Sequence, residues 1–307
     1  MENEGEARRR NWGRWLIVGL PYAWLLILFL VPFLIVLKIS FSTPHIGQPP
    51  YTPTFDIAGG VSGLATSLRQ LVVDNYIFLT KDALYWKSYL SSLWIAIAST
   101  FLVLLFSYPI AYGMARASRA WQPTLVMLVI LPFWTSFLIR VYAWIGILKK
   151  EGLLNQLLMW LHVIDHPLTI LNTNWAVYIG IIYSYMPFMI LPLYAALERL
   201  DNTLLEAASD LGCPPTRSFW QITFPLSVPG VVAGCFLVFI PVTGEFVIPD
   251  LLGGHSTLMI GKTLWDEFFS NRDWPLASAV AVVLLILLVV PIVIFQNQEQ
   301  KRAERET

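Results

Sequence analysis

Six long apolar stretches, poor in charge, alternate with polar segments along this chain of 307 residues. Each is about 20 residues or longer, enough for a helix rising ~1.5 Å per residue to cross a hydrocarbon core of ~30 Å. Helices are expected because unpaired backbone groups are too costly in lipid, and the pattern lacks the short alternating strands of a membrane barrel. The sequence therefore predicts an all-α polytopic membrane protein with about six transmembrane helices, over residues 15–39, 89–114, 124–148, 175–197, 226–247 and 275–295.

Composition supports this class of protein. Hydrophobic residues make up 56% of the chain and charged residues 13%, whereas a soluble domain carries about 25% charged residues. The predicted helices also contain many prolines, each of which removes a helical hydrogen bond. These prolines are Pro109, Pro132, Pro187, Pro192, Pro241 and Pro249. Together they favour a transport pathway over a rigid membrane anchor.

Lysine and arginine indicate the orientation of the spans, because cytoplasmic loops carry an excess of both. If the spans alternate, one side collects a modest excess of these residues, and the other side is rich in acids. We therefore expect a multi-pass protein of the bacterial cytoplasmic (inner) membrane with both termini inside. The predicted segments are a cytoplasmic tail over 1–14, an outer (periplasmic) loop over 40–88, a cytoplasmic loop over 198–225 and a cytoplasmic tail over 296–307.

The loop over residues 198–225 is the one long inner connection, and we refer to it as the Glu206 segment. Asp201 or Asn202 is suited to cap a helix that carries apolar residues at helical spacing. Gly212 suits the position after that helix, and the two prolines that follow prevent its continuation. A second short helix is expected to end at Pro225. The pattern predicts a helix–turn–helix along the membrane surface, with Glu206 exposed.

Within this segment, Glu206-Ala207-Ala208, Gly212, Ile222 and Pro225 resemble the EAA signature of ABC importer permeases in identity and spacing. Phe224 departs conservatively from the leucine of that signature. The resemblance implies a type I importer permease fold with its core domain over 89–295. It also implies that Glu206, Ala207, Ala208, Gly212, Ile222 and Pro225 form a coupling loop that docks on a cytoplasmic ATPase. Four further stretches resemble the permeases of putrescine and spermidine importers, namely LPFWTSFLIRVYAWIGILK, IYSYMPFMILPLYAAL, GEFVIPDLLGG and NRDWPLASAVA.

The chain itself is not expected to hydrolyse ATP. Gly261-Lys262-Thr263 looks like the end of a phosphate-binding loop, but that motif requires glycine where this chain has Ser256. We therefore expect no enzymatic activity and no cofactor on this chain, with ATP and magnesium bound by a partner ATPase. The resemblance implies an ATP-binding cassette ATPase dimer, a homologous second permease, a periplasmic polyamine-binding protein and membrane lipid as partners, and no nucleic acid.

Glu245 is the leading candidate for the substrate path, because a charge inside a membrane span is costly and indicates function. Asp250 lies five residues later, and Pro249 is expected to break the helix between them. Two interpretations of Glu245 stay open: it lines a cation path, or it pairs with Arg140 in the third span. Both hold if the substrate cation displaces Arg140.

Aromatic faces would assist the dehydration of a dication, at ~0.5–2 kcal/mol per cation–π contact. Phe246, Trp134 and Tyr185 are our candidates among the many aromatic residues. No metal site is expected, although His162, Asp165 and His166 occupy one outer segment, because Pro167 follows directly and no second cluster exists.

These observations favour the permease subunit of an ATP-driven ABC importer for polyamines, with putrescine as the preferred cargo. The alternatives within the class are spermidine, an amino acid or a phosphonate. A secondary transporter or channel would show inverted repeats, and a membrane enzyme would show a catalytic constellation; the sequence displays neither.

Overall fold

The computed structural model describes residues 17–54, 69–254 and 257–306, with side chains of the last helix described through Val290 and at positions 292, 293 and 297. The predicted tail over 1–14 and residues 55–68 of the predicted outer loop lie outside these ranges. The described residues confirm the all-α prediction, with one short antiparallel ribbon formed by β1 (Thr43–Pro44) and β2 (Tyr51–Thr52). The helices are α1 (Ile17–Ser40), α2 (Asp74–Lys81), α3 (Ala83–Arg116), α4 (Gln122–Ile130), α5 (Phe137–Leu148), α6 (Leu153–Trp160), α7 (Asn174–Glu198), α8 (Thr203–Asp210), α9 (Pro215–Thr243), α10 (Val247–Leu252), α11 (Ile260–Trp265) and α12 (Trp274–Glu306).

Four of the described helices, α1, α3, α7 and α9, are long and apolar enough to cross a membrane. A fifth candidate is the bent pair Gln122–Trp134 and Phe137–Trp160. The predicted span 275–295 falls on α12, whose apolar part, Trp274–Val290, is shorter. The chain is therefore a polytopic helical membrane protein.

The predicted span over 124–148 is bent, because an angle of 88° separates Gln122–Trp134 from Phe137–Trp160. Pro132 lies in a narrow turn that follows α4, and the backbone of Thr135 is extended. The Thr135 hydroxyl donates a hydrogen bond of 2.8 Å to the Pro132 carbonyl, which satisfies a group that a continuing helix would have paired. Local side-chain bonding thus stabilises the break.

Two further predicted helix ends are displaced. Pro225 does not end a short helix: α9 runs without a break from Pro215 to Thr243, through one wide turn over Phe219–Thr223. Such a π-type turn already departs from the i→i−4 hydrogen-bond pattern just before Pro225, so the missing proline donor is tolerated there. The predicted span 226–247 also ends earlier than expected. Its helix stops at Thr243 rather than near Pro249.

The chain forms two compact units, residues 1–82 with 264–307, and residues 83–263. The predicted core over 89–295 therefore differs from the compact unit, which ends before α12. In the first unit, α12 packs against α1. The Lys38 ammonium donates to the Pro53 carbonyl and lies 4.8 Å from the centre of the Tyr51 ring. These contacts attach the ribbon to the end of α1.

In the second unit, α7 packs against both α3 and α9 around a buried apolar core. Two glycines of α9, Gly230 and Gly234, face α7. A Cβ atom at Gly230 would lie 2.6 Å from Ala196 Cβ, and one at Gly234 would lie 2.5 Å from Met189 Sδ. The two glycines therefore let α9 approach α7 closely.

Candidate functional site

The Glu206 segment begins with a capped helix. The Asp201 carboxylate accepts a hydrogen bond of 3.0 Å from the Thr203 backbone N–H at the start of α8. This hydrogen bond lowers the pKa of Asp201 below its usual value, because it favours the charged form. Of the two predicted caps, Asp201 is thus the residue whose side chain performs the capping.

α8 ends in the manner predicted for Gly212. That glycine has φ of +77°, a conformation that L residues adopt only at a cost. Its N–H donates to the Ser209 carbonyl at 2.8 Å, and the Cys213 N–H donates to the Ala208 carbonyl at 2.9 Å. These two hydrogen bonds form a Schellman motif, which turns the chain out of α8 and satisfies its last carbonyls.

The Glu206 segment presents a mixed apolar and acidic surface. Glu206 and Ala207 are exposed, whereas Ala208 is buried beneath them. Leu211 is 88% exposed, so an apolar side chain projects from the end of α8. Ile222 is half-buried and Pro225 is exposed. The motif residues are therefore shared between α8 and the first turns of α9, and this surface is suited to a protein contact.

An aromatic cluster that the sequence reasoning missed joins this segment to α3. The Tyr108 hydroxyl lies 2.9 Å from the Ser227 hydroxyl. The Phe219 ring packs edge-on against Tyr108 at 5.7 Å and against Tyr112 at 5.8 Å. Tyr108 and Tyr112 are four residues apart on α3, and that spacing is the one signal of a shared face. The base of α9 is thus fixed to α3.

Glu245 lies at the break between α9 and α10 and is 8% exposed. Its Oε1 atom accepts hydrogen bonds from the backbone N–H groups of the next three residues, Phe246 at 3.1 Å, Val247 at 2.9 Å and Ile248 at 3.4 Å. Its Oε2 atom accepts a hydrogen bond from the Tyr185 hydroxyl of α7. The carboxylate therefore satisfies the first amides of α10, which explains why the helix breaks here.

The expected pair between Glu245 and Arg140 is not formed. Both Glu245 oxygens have other partners, and the Nε and Nη1 atoms of Arg140 are buried without a hydrogen-bond partner. The Arg140 guanidinium lies instead against two rings, 5.3 Å from the centre of Phe133 and 5.7 Å from that of Phe137. Displacement of Arg140 by a substrate cation is therefore not available as a mechanism in this conformation.

Asp250 forms an ion pair with Lys262. Its carboxylate lies 3.3 Å from the Lys262 ammonium, and both side chains are partly exposed. A cation would have to compete with Lys262 for Asp250. His162 lies just beyond α6, and the described residues include no group of three or more His, Cys, Asp or Glu side chains that could hold a metal.

The three predicted aromatic residues differ in their surroundings. Tyr185 is buried and contacts Glu245, Phe246 directly follows Glu245 and is half-buried, and Trp134 is 72% exposed at the bend after α4. Two rings that were not predicted extend from Tyr185: Phe188 packs 5.9 Å from Tyr185 and 5.2 Å from Phe133. The structure thus forms a row of aromatic side chains from Glu245 towards Arg140.

A polytopic helical fold with an exposed loop between spans and a carboxylate at a helix break is typical of a transport subunit. Residues 107–303 match the family described as binding-protein-dependent transport system inner membrane component, and the chain belongs to this family. It is therefore a permease subunit of an ABC importer and not an enzyme.

The chain is 38% identical over 278 residues to the spermidine/putrescine transport system permease protein PotB of Haemophilus influenzae, covering 91% of each chain. It is 42% identical over 223 residues to PotB of Escherichia coli, covering 73% of this chain and 81% of that one. A crystal structure of a bacterial ABC transporter involved in the import of the acidic polysaccharide alginate has a TM-score of 0.66 at 18% identity, over 98% of this chain and 99% of that one. That likeness supports the same fold.

Proposed function

We propose that this chain is the polyamine permease of an ATP-driven importer, with putrescine as its cargo and spermidine as the alternative. The observation that carries the proposal is the similarity to PotB, which extends over 91% of both chains. The proposed site fits a polyamine. Glu245 is the one acidic residue of the six predicted spans; it accepts a hydrogen bond from the Tyr185 hydroxyl, and Phe246 directly follows it. A carboxylate and aromatic faces together replace the water around an ammonium group.

In the proposed orientation, both termini and the Glu206 segment lie in the cytoplasm. Arg199 and Arg217 flank that segment, and the family description refers to an inner membrane component. Glu245 then lies towards the outer end of its span. A potential of 100 mV, negative inside, would favour inward movement by ~2.3 kcal/mol for each charge of the substrate.

The proposed partners follow from the family and from the exposed surface of α8. A cytoplasmic ATPase dimer, which carries the ATP and magnesium, would receive the Glu206 segment. Leu211 would fill an apolar depression on it, while Glu206 would make polar contacts at the rim. An external polyamine-binding protein would deliver the substrate, and a homologous second permease would complete the path.

Movement of α8 would be transmitted to the membrane-spanning helices through the aromatic cluster of Phe219, Tyr108 and Tyr112. Phe219 belongs to α9 and contacts both tyrosines of α3, so α9 and α3 would shift together when the ATPase closes. Such a shift could alter the environment of Glu245, which directly follows α9. This connection gives a physical route from ATP binding to the release of substrate.

The proposal is tested by uptake in bacterial cells that lack their own polyamine importers. The complete importer, with this chain, its ATPase, its second permease and its binding protein, is expressed from one plasmid. We expect radiolabelled putrescine to accumulate, with excess unlabelled putrescine competing better than spermidine. Competition by an amino acid or 2-aminoethylphosphonate, but by neither polyamine, would contradict the proposal. The matched control carries an inactive ATPase.

A further inference from the structure

The ion pair between Asp250 and Lys262 joins two short helices that follow the break at Glu245. Asp250 belongs to α10 and Lys262 to α11, and the ammonium lies 3.3 Å from Asp250 Oδ1. The Asp250 side chain is 50% exposed and that of Lys262 is 26% exposed, so a second cation can reach the carboxylate from outside the chain. Lys262 is the one Lys or Arg residue of 244–263. The cation at Asp250 is therefore supplied by the protein itself.

α11 keeps its position through contacts that do not involve this ion pair. The Ile260 backbone N–H donates a hydrogen bond of 2.7 Å to the Ser92 hydroxyl of α3. The Thr263 hydroxyl donates one of 3.2 Å to the Ser88 hydroxyl of the same helix, and both side chains are buried. Because these contacts flank Lys262, the backbone that carries it is attached to α3 whether or not its ammonium is paired.

α10 is likewise held by buried groups. Ile248 and Leu252 of this helix are fully buried, and the Leu252 carbonyl accepts a hydrogen bond of 3.0 Å from the Asn172 backbone N–H. The Glu245 carboxylate accepts hydrogen bonds from the first amides of the helix. Asp250 is thus an exposed acid on a helix that other contacts fix in place.

The ion pair also lies close to the acid of the proposed substrate path. A Cβ atom at Gly261 would lie 2.3 Å from the Gly244 carbonyl oxygen and 2.6 Å from that of Glu245. Such an approach of two backbones requires a residue without a side chain. Lys262 directly follows Gly261, so its backbone lies next to the break at Glu245.

These features make the cation at Asp250 easy to exchange. An ion pair between exposed side chains contributes little to stability, and neither helix depends on it, so an external ammonium group can take the place of Lys262 at small cost to the fold. A lysine side chain is a flexible four-carbon chain that ends in an ammonium group, and putrescine is a chain of the same length with an ammonium group at each end. One end of putrescine thus reproduces the group that Asp250 already binds.

We propose that Lys262 is an exchangeable cation at Asp250, which one ammonium group of the polyamine displaces. This inference rests on the proposed function, which supplies the cargo. It assigns Asp250 as a carboxylate for the substrate in addition to Glu245, and Lys262 as the residue that sets the affinity by competition. When the substrate leaves, Lys262 returns to Asp250, so release does not leave the carboxylate without an opposite charge.

The test is direct binding of radiolabelled putrescine to the purified importer in detergent, without the binding protein. Lys262→Met removes the competing cation and should lower the Kd about threefold, the factor that corresponds to an ion pair between exposed side chains. Lys262→Arg should raise the Kd, because a guanidinium holds a carboxylate through two hydrogen bonds. In the Asp250→Asn importer, Lys262→Met should give no further gain in affinity, because the two changes act on one interaction.

The matched control is Lys150→Met, which removes an exposed cation outside this segment and should bind putrescine with the wild-type affinity. Equal tightening by Lys150→Met would indicate a general effect of charge and overturn the inference. A lower melting temperature with unchanged affinity in the Lys262→Met importer would show that the ion pair is structural alone, and would also overturn it. The same conclusion would follow if no variant bound putrescine measurably.

Uptake in cells separates this inference from the proposed function. If the wild-type importer accumulates putrescine while both Lys262 variants bind it with unchanged affinity, the exchange is refuted and the proposed function stands. If the wild-type importer takes up no polyamine, the proposed function fails and the exchange fails with it.

Discussion

The Tyr185 hydroxyl donates a hydrogen bond to Glu245 Oε2 and so joins the middle of α7 to the break that follows α9. Because the other oxygen of the same carboxylate caps α10, Glu245 combines a structural contact with a buried negative charge. These two roles are separable by substitution, because glutamine keeps an acceptor oxygen and loses the charge.

Glu245→Gln should lower the rate of putrescine uptake about tenfold or more, because the ammonium group loses its counter-charge in a region of low dielectric. Tyr185→Phe is the matched variant: it removes one hydrogen bond to a charged group, of about 1.5–3 kcal/mol, and keeps the carboxylate. We therefore expect Tyr185→Phe to lower the melting temperature clearly and the rate of putrescine uptake only slightly. Uptake by Glu245→Gln at the wild-type rate would remove Glu245 from the path.

Glu206→Ala should uncouple ATP hydrolysis from uptake. Glu206 is exposed on α8, so its removal leaves membrane insertion and the melting temperature unchanged while it removes a contact to the ATPase. The measurement is the number of putrescine molecules taken up for each ATP hydrolysed. Asp210→Ala, an exposed acid in the last turn of the same helix, serves as the control, and an equal effect of both variants would indicate a general loss of charge.

Gly212→Ala should weaken the coupling of ATP hydrolysis to uptake. The cause would be an unfavourable backbone conformation and not a steric clash. A Cβ atom at Gly212 would meet no atom within 4 Å, but its φ of +77° costs an L residue ~1–2 kcal/mol. Asparagine tolerates this conformation better. Gly212→Asn should therefore retain more ATP-coupled uptake than Gly212→Ala, and the reverse order would show that the turn does not require the left-handed conformation.

Gly230→Ala should destabilise the protein more than Gly234→Ala. The new Cβ at position 230 would lie 2.6 Å from Ala196 Cβ and 2.8 Å from the Pro192 carbonyl oxygen, whereas at position 234 it would meet first the flexible end of Met189. Overpacking typically costs about 1–3 kcal/mol, and a methionine side chain can move away. Thermal unfolding of the purified chain in detergent measures the difference, and equal melting temperatures would contradict the packing described for α7 and α9.

The spans were predictable because a helix of ~20 apolar residues leaves the same signal wherever it occurs. The breaks were not predictable, since proline alone does not determine them. Pro109, Pro187 and Pro192 remain inside helices, whereas the chain bends after Pro132, where the Thr135 hydroxyl binds the Pro132 carbonyl. A break requires that local groups satisfy the freed backbone, and one proline in a sequence does not specify those groups.

The same limit applies to the candidate site. Glu245 was identifiable as a charge inside an apolar stretch, and Gly212 as a turn residue before two prolines. The hydrogen bond from Tyr185 to Glu245 joins residues 60 positions apart and depends on the packing of α7 against α9.

The central claim is tested most directly by uptake into proteoliposomes that contain this chain with its second permease and ATPase. ATP is enclosed, and the polyamine-binding protein is supplied outside with radiolabelled putrescine. We predict accumulation above the external concentration that requires both ATP and the binding protein and is lost in the Glu245→Gln importer. Equilibration of putrescine without ATP, or ATP-driven uptake of a solute other than a polyamine, would contradict the account.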